Sequence, residues 1–435
     1  MGQNPFVIIN CIITLDRNFP VYFHITTGRE GHPMEPLEGA TTVERMLLAQ
    51  AKSMRTPANG SIELLPLCNM NCDMCYVRLS REEMERQGRL RTADEWLEIG
   101  RQMKDAGVLF LLLTGGEPFL FPEFRRLYLG LREMGMILTI NTNGTLIDED
   151  LAEFFGKHKP RRINITLYGT DEETYADLCH YPGGYEKTLR GIRLLREHGV
   201  DVRVGGSIVR ANKDDLGKLL DIEEEYGVPV RVDTYMMPAV RERELPYNMQ
   251  SRLEPEEAAR ARVYAWKREM GPELFPQYVR QLIERADHPE PKEEKPGHMA
   301  CMAGQCSFTI NWQGEMRPCV ILSSPAVSVF DAGFGAAWRH IVEETGKILL
   351  NAKCSACHLR HLCRTCAASA LYETGSYDGV PDYMCRYAEE SLRMLKEEWK
   401  QIEEHTQGKI QESIQDTMQE NIQGKVRDGQ DISDR

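Results

Sequence analysis

Short runs of apolar residues alternate with amphipathic stretches between residues 61 and 237. Six runs have the composition of buried strands, and they begin at Ser61, Val108, Met136, Arg162, Val200 and Pro229. The stretches between them have helical periodicity, and Thr92 and Glu95 have the spacing of a helix capping box. Strands that alternate with helices predict parallel pairing. We therefore expect an α/β fold, a partial (β/α)6 TIM-like barrel or an open curved sheet, with ligand sites at the carboxyl ends of the strands.

The pattern changes on both sides of this core, which we assign to residues 61–240. Residues 1–60 are interpreted as an N-terminal extension or cap, with a strand in FPVYFHITT and a short helix in GATTVERMLLAQAKSM. Residues 241–297 combine a charged helix with a linker rich in Pro, Glu and Lys. Residues 298–390 are predicted to form a cysteine-rich domain. Residues 391–435 predict a helix followed by a tail, whose polar composition favours fraying.

The bulk composition excludes several classes of protein. The chain has 435 residues and a net charge of −13, which argues against a nucleic-acid partner because tight binding needs Lys and Arg at the phosphates. No apolar run approaches the roughly 20 residues that span a bilayer, and the first residues lack the positive charge of a secretion signal. We therefore expect a cytoplasmic protein without a membrane partner.

Thirteen cysteines are a large number for such a chain. Disulfide frameworks are typical of small secreted proteins, so we interpret most of these cysteines as metal ligands. Eleven lie in two groups, and only Cys11 and Cys179 are isolated, which predicts ordinary thiols at those two positions. The first group, Cys68, Cys72 and Cys75, directly follows the first predicted strand.

Three thiolates in one loop fit two kinds of metal site. A four-iron cluster normally takes four cysteines, so a triad leaves one iron open to an outside ligand. A zinc site with an unrelated fourth ligand also accommodates three cysteines. The spacing of Cys68, Cys72 and Cys75 by itself leaves both alternatives open.

One strand–helix unit later, the run GGEP at residues 115–118 follows the second predicted strand. Together with the cysteine triad, this run resembles the motifs of radical S-adenosylmethionine (SAM) enzymes. The resemblance implies that the triad holds a [4Fe-4S] cluster whose open iron binds the amino and carboxylate groups of SAM. It also implies cleavage of SAM to a 5′-deoxyadenosyl radical, which abstracts hydrogen from a substrate.

The same resemblance implies SAM contacts at the ends of four strands. Glu117 offers an acceptor for the SAM ammonium group, and Thr166 keeps a hydroxyl where related enzymes often have Ser. Tyr168 stands where they often have Asp. The implied SAM contacts are Met74, Gly115, Gly116, Glu117, Pro118, Asn141, Thr142, Asn143 and Thr166. Ordinary turn chemistry is the alternative for the polar strand-end residues, and no catalytic side chain is predicted beyond the cofactor site.

The second cysteine group lies between residues 301 and 385 and resembles the SPASM extension of radical SAM enzymes. Its CxxC units also suit zinc, and the residues alone leave that alternative open. The resemblance implies two auxiliary [4Fe-4S] clusters with four thiolates each. The implied ligands are Cys301, Cys306, Cys319 and Cys366 for one cluster, and Cys354, Cys357, Cys363 and Cys385 for the other. His358 and His361 are predicted to stay outside both ligand sets.

Enzymes with this extension mostly modify peptides or proteins. The resemblance therefore implies a peptide or protein substrate and an electron donor such as flavodoxin or ferredoxin. We expect hydrogen abstraction from a ribosomally synthesised peptide, followed by crosslink formation or oxidation. Val320 follows Cys319 where sulfatase-maturing enzymes commonly have Asp, which disfavours an anaerobic sulfatase-maturating role. That role, another protein-modifying dehydrogenase and an iron–sulfur electron-transfer scaffold without turnover are the alternatives.

We predict about twelve iron atoms per chain in the anaerobically reconstituted protein, because three clusters bind four irons each. If the second cysteine group binds zinc, the iron content is about four per chain. Measuring iron and zinc in the same sample by elemental mass spectrometry separates these outcomes. An iron content near the lower value, with zinc present, would contradict the auxiliary clusters.

Overall fold

The computed structural model describes residues 42–238, 251–290, 292–363 and 365–430. The strand expected in FPVYFHITT and the isolated Cys11 lie outside these described residues. Within the described ranges, no helix is both long enough and apolar enough to cross a membrane.

All six strands predicted between residues 61 and 237 are present, and short strands follow them. The strands are β1 Asn59–Glu63, β2 Phe110–Thr114, β3 Ile137–Thr142, β4 Arg162–Thr166, β5 Val202–Ser207, β6 Val230–Asp233, β7 Gly297–His298, β8 Ser307–Ile310, β9 Glu315–Arg317, β10 Val327–Ser328 and β11 Leu349–Leu350. The α-helices are α1 Thr42–Met54, α2 Arg81–Gln87, α3 Ala93–Asp105, α4 Phe124–Glu133, α5 Glu149–Lys157, α6 Glu172–Cys179, α7 Gly184–Glu197, α8 Leu216–Tyr226, α9 Pro255–Asp287, α10 Val329–Ala332, α11 Phe334–Gly346, α12 Ala352–Ala356, α13 Ala367–Thr374 and α14 Asp382–Gln430.

The first six strands form a parallel sheet in their order along the chain. At least one helix lies between each strand and the next, and right-handed crossovers place these helices on the same face of the sheet. Alternate strand residues such as Leu111, Val204 and Val232 are buried in the core. Their neighbours along each strand point to the opposite, concave face. The predicted α/β class is confirmed.

Helix starts follow the local signals in the sequence. The Thr92 hydroxyl accepts a hydrogen bond from the Glu95 amide at 3.2 Å, and the Glu95 carboxylate accepts one from the Thr92 amide at 2.8 Å. The predicted capping box is therefore present at the beginning of α3, where it satisfies amides that have no partner within the helix.

The cysteine-rich region contributes strands to the core sheet. β8 pairs in parallel with β1, and β9 and β10 extend the sheet to nine strands. The predicted domain at residues 298–390 thus begins close to a strand that lies against the barrel. Periodicity alone does not reveal this pairing, because the two partners are far apart in sequence.

Gly60 determines how closely β8 approaches β1. Its register partner is Phe308, and a Cβ atom on Gly60 would lie 2.2 Å from the Phe308 ring. Phe308 in turn packs against Phe334 and Trp338 of α11, with ring centroids 5.1 and 6.2 Å apart. This aromatic layer joins the cysteine-rich region to the barrel and requires a glycine at residue 60.

Helices close the molecule at its periphery. The Glu44 carboxylate of α1 accepts two hydrogen bonds of 2.8 Å from the Arg161 guanidinium, just before β4. α9 bends at Gly271, whose φ is 68°, so both of its halves reach α14 through ion pairs of 2.7 Å. These pairs join Lys267 to Glu398 and Asp287 to Lys396.

The end of the chain differs from its sequence-based expectation. Composition favoured fraying after the predicted helix, whereas α14 continues as a helix to Gln430. Residues 431–435 lie outside the described part.

We predict that Gly60→Ala lowers the free energy of unfolding by about 1–3 kcal/mol, because the added methyl group overpacks the contact with Phe308. Gly205→Ala is the matched control, since a Cβ atom at this strand position meets nothing within 4 Å. Phe308→Leu is expected to restore part of the stability in the double variant. Urea unfolding of the wild type, Gly60→Ala, Phe308→Leu and the double variant measures the coupling, and additive effects would contradict this contact.

Candidate active site

The triad loop, residues 64–79, leaves the carboxyl end of β1 and carries the three cysteines of the first group. Two of its amides donate to triad sulfurs, Met70 N to Cys68 Sγ at 3.4 Å and Arg78 N to Cys75 Sγ at 3.3 Å. The Cys75 amide also donates to the Cys72 carbonyl at 3.0 Å, which closes a tight turn. The loop thus brings the three thiols close enough for Cys72 and Cys75 to act electrostatically on Cys68.

Cys72 is buried, and Cys68 and Cys75 are partly buried. Burial raises the pKa of Cys68 to about 12. A hydrogen bond with Cys179, together with burial, raises the pKa of Cys72 well above its ordinary value. Raised pKa values favour the protonated thiols. A metal centre favours the thiolates instead, because its positive charge stabilises them. The donor set therefore fits an iron–sulfur cluster, which binds thiolates.

The carboxyl end of α6 holds the triad loop in place. The amides of Asn71 and Asp73 donate to the carbonyls of Cys179 and Leu178 at 2.9 and 3.0 Å. These carbonyls have no partner within the helix, so the loop satisfies them. His180 Nε2 lies 2.7 Å from a carboxylate oxygen of Asp73. The amide contacts fix the backbone on both sides of Cys72.

Asn143 connects the end of β3 to the triad loop. Its Nδ2 donates to Asn69 Oδ1 at 2.9 Å and lies 3.6 Å from Cys68 Sγ. Its Oδ1 accepts from the Thr145 amide at 3.0 Å, and Asn69 Nδ2 donates to Thr145 Oγ1 at 2.8 Å. This closed network positions Cys68, which is a role that the sequence analysis did not predict for Asn143.

Glu117 is fully buried at the end of β2. Its carboxylate accepts hydrogen bonds from the Thr142 hydroxyl at 2.8 Å, the Asn143 amide at 2.9 Å and the Phe119 amide at 3.2 Å. Burial raises its pKa to about 7, although these bonds act in the opposite direction. The carboxylate therefore ties the loops after β2 and β3 together.

Gly115 and Gly116 are required by a close backbone approach. A Cβ atom on Gly115 would lie 2.5 Å from the Leu65 carbonyl, and one on Gly116 would lie 2.2 Å from the Leu67 carbonyl. The Gly116 and Glu117 amides donate to these same two carbonyls at 2.7 and 2.9 Å. The observed neighbour of the glycines is thus the triad loop.

The other predicted SAM contacts lie at the same end of the sheet. Met74 is buried in the core beside the triad, and Pro118 begins a 3₁₀ turn after Glu117. Asn141 Oδ1 accepts from Asn164 Nδ2 at 2.8 Å, and Thr166 is the last residue of β4. Contact of these residues with SAM stays a prediction.

Two residues beside Cys72 were missed by the sequence analysis. Cys179, expected to be an isolated thiol, is buried, and its carbonyl accepts a hydrogen bond of 2.9 Å from the amide of Asn71, next to Cys72. The Tyr168 side chain, in the loop after β4, lies near enough to Cys72 to lower the pKa of that thiol, against the larger effects of Cys179 and burial. The only signal in the sequence is the departure from Asp at residue 168. Nothing in the local pattern indicates that Cys179 reaches the triad.

The concave face of the sheet is polar near the mouth of the barrel. Arg203 of β5 is the register partner of Asn164, and Arg231 of β6 is the register partner of Gly205. Both arginines alternate with buried valines along their strands, so they point to the concave face. This face therefore carries two arginines on neighbouring strands, and the Arg231 guanidinium lies 3.8 Å from the Asp233 carboxylate.

The eight cysteines of the second group form two spatial sets. The first auxiliary set comprises Cys301, Cys306, Cys319 and Cys366, which influence one another electrostatically. The second auxiliary set comprises Cys354, Cys357, Cys363 and Cys385, which line a cavity of about 130 Å³. Burial raises the pKa of Cys306, Cys319 and Cys385 to about 11.

The two histidines of this region bond to the backbone. His358 Nδ1 lies 3.2 Å from the Ala286 carbonyl, and His361 Nε2 lies 2.9 Å from the Leu282 carbonyl, both near the end of α9. Each ring therefore satisfies a carbonyl in the last turns of that helix.

The part of the chain that forms this site also matches a known protein family. Residues 62–221 match the family model of the Radical SAM superfamily, and this range holds the triad loop, the GGEP run and the ends of β3 and β4. The chain therefore contains a radical SAM domain.

Among relatives of known name, the chain is 25% identical over 333 residues to an AdoMet-dependent heme synthase of Methanosarcina barkeri. That match covers 72% of this chain and 92% of the relative. It is 28% identical to the PqqA peptide cyclase of Granulibacter bethesdensis, over 40% of this chain and 46% of the relative. The fold resembles Streptococcus suis SuiB bound to its precursor peptide SuiA, with a TM-score of 0.58, 18% identity and 84% of both chains covered.

We predict that the stability of the protein falls between pH 4.5 and about 7 because of Glu117. A carboxyl group whose pKa is higher in the folded state binds more protons when folded, so stability declines as pH rises through this window. The loss is up to about 3 kcal/mol, and Glu117→Gln should lack it.

Unfolding free energies of both proteins from pH 4 to pH 8 test this prediction. Glu123→Gln, which removes an exposed carboxylate a few residues away, is the control and should follow the wild type. Parallel pH profiles for the wild type and Glu117→Gln would contradict the prediction.

Proposed function

We propose that this protein is a radical SAM enzyme that modifies a ribosomally synthesised peptide, by hydrogen abstraction followed by crosslink formation or oxidation. The observation that carries the proposal is the combination of the triad loop with two further sets of four cysteines. A [4Fe-4S] cluster at Cys68, Cys72 and Cys75, together with SAM, supplies the 5′-deoxyadenosyl radical when both are bound.

The protein's own residues position this chemistry. The Glu117 carboxylate holds the ends of β2 and β3 against each other, and Asn143 orients the loop that carries Cys68. The carboxyl ends of the strands surround one site, which is where ligands bind in parallel barrels. A substrate bound at the concave face would therefore present its hydrogen atoms to this site.

The two auxiliary sets are assigned to two further [4Fe-4S] clusters, one held by the first auxiliary set and one by the second. Two sets of four thiols are the number that two fully ligated four-iron clusters take. An auxiliary cluster can accept the electron left when a substrate radical forms a new bond.

A peptide substrate is supported by two of the similar proteins. One relative is named a peptide cyclase, and the SuiB structure contains a precursor peptide. Reduction of the clusters would come from a flavodoxin or ferredoxin. We place the protein in the cytoplasm, because free thiols in such number suit a reducing compartment.

A second candidate substrate is an iron tetrapyrrole that carries carboxylates. The heme synthase of Methanosarcina barkeri is matched over 92% of its length, far more than the peptide cyclase. Arg203 and Arg231 are suited to such a molecule, because guanidinium groups bind carboxylates with two parallel hydrogen bonds.

We predict that the reconstituted enzyme, with SAM and dithionite under anaerobic conditions, releases 5′-deoxyadenosine and changes the mass of a peptide encoded beside its gene. Cys72→Ala should release none, whereas Cys319→Ala should still cleave SAM but fail to complete the peptide product. High-resolution mass spectrometry of nucleoside and peptide gives both readouts.

The same assay with an iron porphyrin separates the two substrates. If the tetrapyrrole is the substrate, Arg203→Gln together with Arg231→Gln should raise its KM by about a hundredfold or more, since each of the two arginines loses at least one charge-assisted hydrogen bond of about 1.5 kcal/mol. Cleavage of SAM without any change to the peptides would refute the peptide proposal. No cleavage of SAM at all would refute the whole proposed function.

A further inference from the structure

The N-terminal helix α1 forms one wall of the site that contains the first auxiliary set. Leu48 and Ala51 of α1 are buried and pack in one apolar cluster with Cys306, which is itself fully buried. The amide of Asn59, at the start of β1, donates to the Cys306 carbonyl at 3.1 Å. The position of Cys306 is therefore fixed by the helix on one side and by the sheet on the other.

Lys52, in the last turn of α1, reaches the loop that carries Cys301. Its Nζ donates a hydrogen bond of 2.5 Å to the Ala300 carbonyl, which belongs to a residue 248 positions further along the chain. The carbonyls on both sides of Ala300 are bonded as well, because Gln305 Nε2 donates to those of Met299 and Cys301 at 2.6 and 2.9 Å. Three successive carbonyls thus accept hydrogen bonds from side chains, and the bond from Lys52 ties the loop to α1.

Lys52 also brings a positive charge to this loop. A lysine ammonium group has three donors and no acceptor, and here it is bonded to the carbonyl of the residue before Cys301. Burial raises the pKa of Cys306 to about 11, and the charge of Lys52 acts in the opposite direction on this thiol and on Cys301. The ammonium group therefore stabilises negative charge on two of the four sulfurs in the first auxiliary set.

A cation at this place has a defined effect on a four-iron cluster. Reduction adds one negative charge to the cluster, and a nearby positive charge lowers the energy of the reduced state. Net charge is one of the factors that set the reduction potential of iron–sulfur clusters. Because the Lys52 side chain is anchored to a backbone carbonyl, its charge is held at one position beside the sulfurs.

We propose that Lys52 is a positioning residue of the first auxiliary set, which holds the Cys301 loop against α1 and raises the reduction potential of the cluster bound there. This inference rests on the proposed function, because it requires a four-iron cluster on the first auxiliary set. It deepens that function by making α1, expected from the sequence as part of an extension or cap, a part of the redox site.

The test is a redox titration of the full-length reconstituted protein without substrate, followed by electron paramagnetic resonance. The cluster of the first auxiliary set is recognised as the signal that is lost when Cys319 and Cys366 are both replaced by Ala. Lys52→Met removes the charge and the donor, and is expected to shift the midpoint potential of this signal to more negative values. Lys52→Arg keeps both and should have a potential close to that of the wild type.

Arg45→Met is the matched control. Arg45 lies seven residues before Lys52 on α1, which places it on the same side of the helix and about 10 Å away along the axis. The variant loses the same charge and should leave the potential close to that of the wild type. An unchanged potential in Lys52→Met, or an equal shift in Arg45→Met, would overturn the inference.

Iron content tests the holding role separately. If Lys52→Met binds about four irons fewer than the wild type while Arg45→Met does not, the loop depends on Lys52, which supports the inference. In that case Lys52→Gln decides the potential, because it keeps a hydrogen-bond donor and lacks the charge. A wild-type potential in Lys52→Gln would then contradict the electrostatic effect.

The outcomes also separate this inference from the proposed function. If the wild-type protein has no signal that depends on Cys319 and Cys366, the auxiliary cluster and the inference fail together. If that signal is present and its potential ignores residue 52, only the inference fails. Because the titration contains no peptide, an enzyme that leaves peptides unchanged would refute the peptide proposal and leave this inference standing.

Discussion

The buried Glu117 carboxylate is the interaction on which the catalytic end of this barrel depends. It accepts hydrogen bonds from Thr142 and Asn143 at the end of β3, while its own amide bonds to the Leu67 carbonyl of the triad loop. Three separate loops therefore share one buried group. A charge in such a place is unfavourable unless its hydrogen bonds are satisfied, so the three loops must adopt one mutual arrangement.

The same arrangement holds the triad loop in one position. The glycines of the GGEP run allow the β2 loop to lie directly on the triad loop, and Asn143 then reaches both Asn69 and the neighbourhood of Cys68. The end of α6 supports the middle of the same loop. The thiols are thus held near one another by backbone contacts.

The cysteine-rich region is coupled to this core by the sheet itself. β8 lies beside β1, the strand that leads into the triad loop, and the contact between Gly60 and Phe308 sets the distance between them. The proposed electron transfer between a substrate site and auxiliary clusters would need fixed separations. A shared sheet provides them more rigidly than a flexible linker would.

The sequence by itself determined the six parallel strands, the helix caps and the chemical class of the site. These follow from periodicity and from motifs of neighbouring residues, which act over short stretches of chain. Only the tertiary structure decided that Glu117 and Asn143 support the loops, that Cys179 and Tyr168 reach Cys72, and that β8 joins the barrel. Each of these contacts joins residues distant in sequence, and such pairs are selected by packing and burial rather than by local pattern. The helical course of α14 to Gln430 was also seen only in the structure, since composition alone favoured fraying.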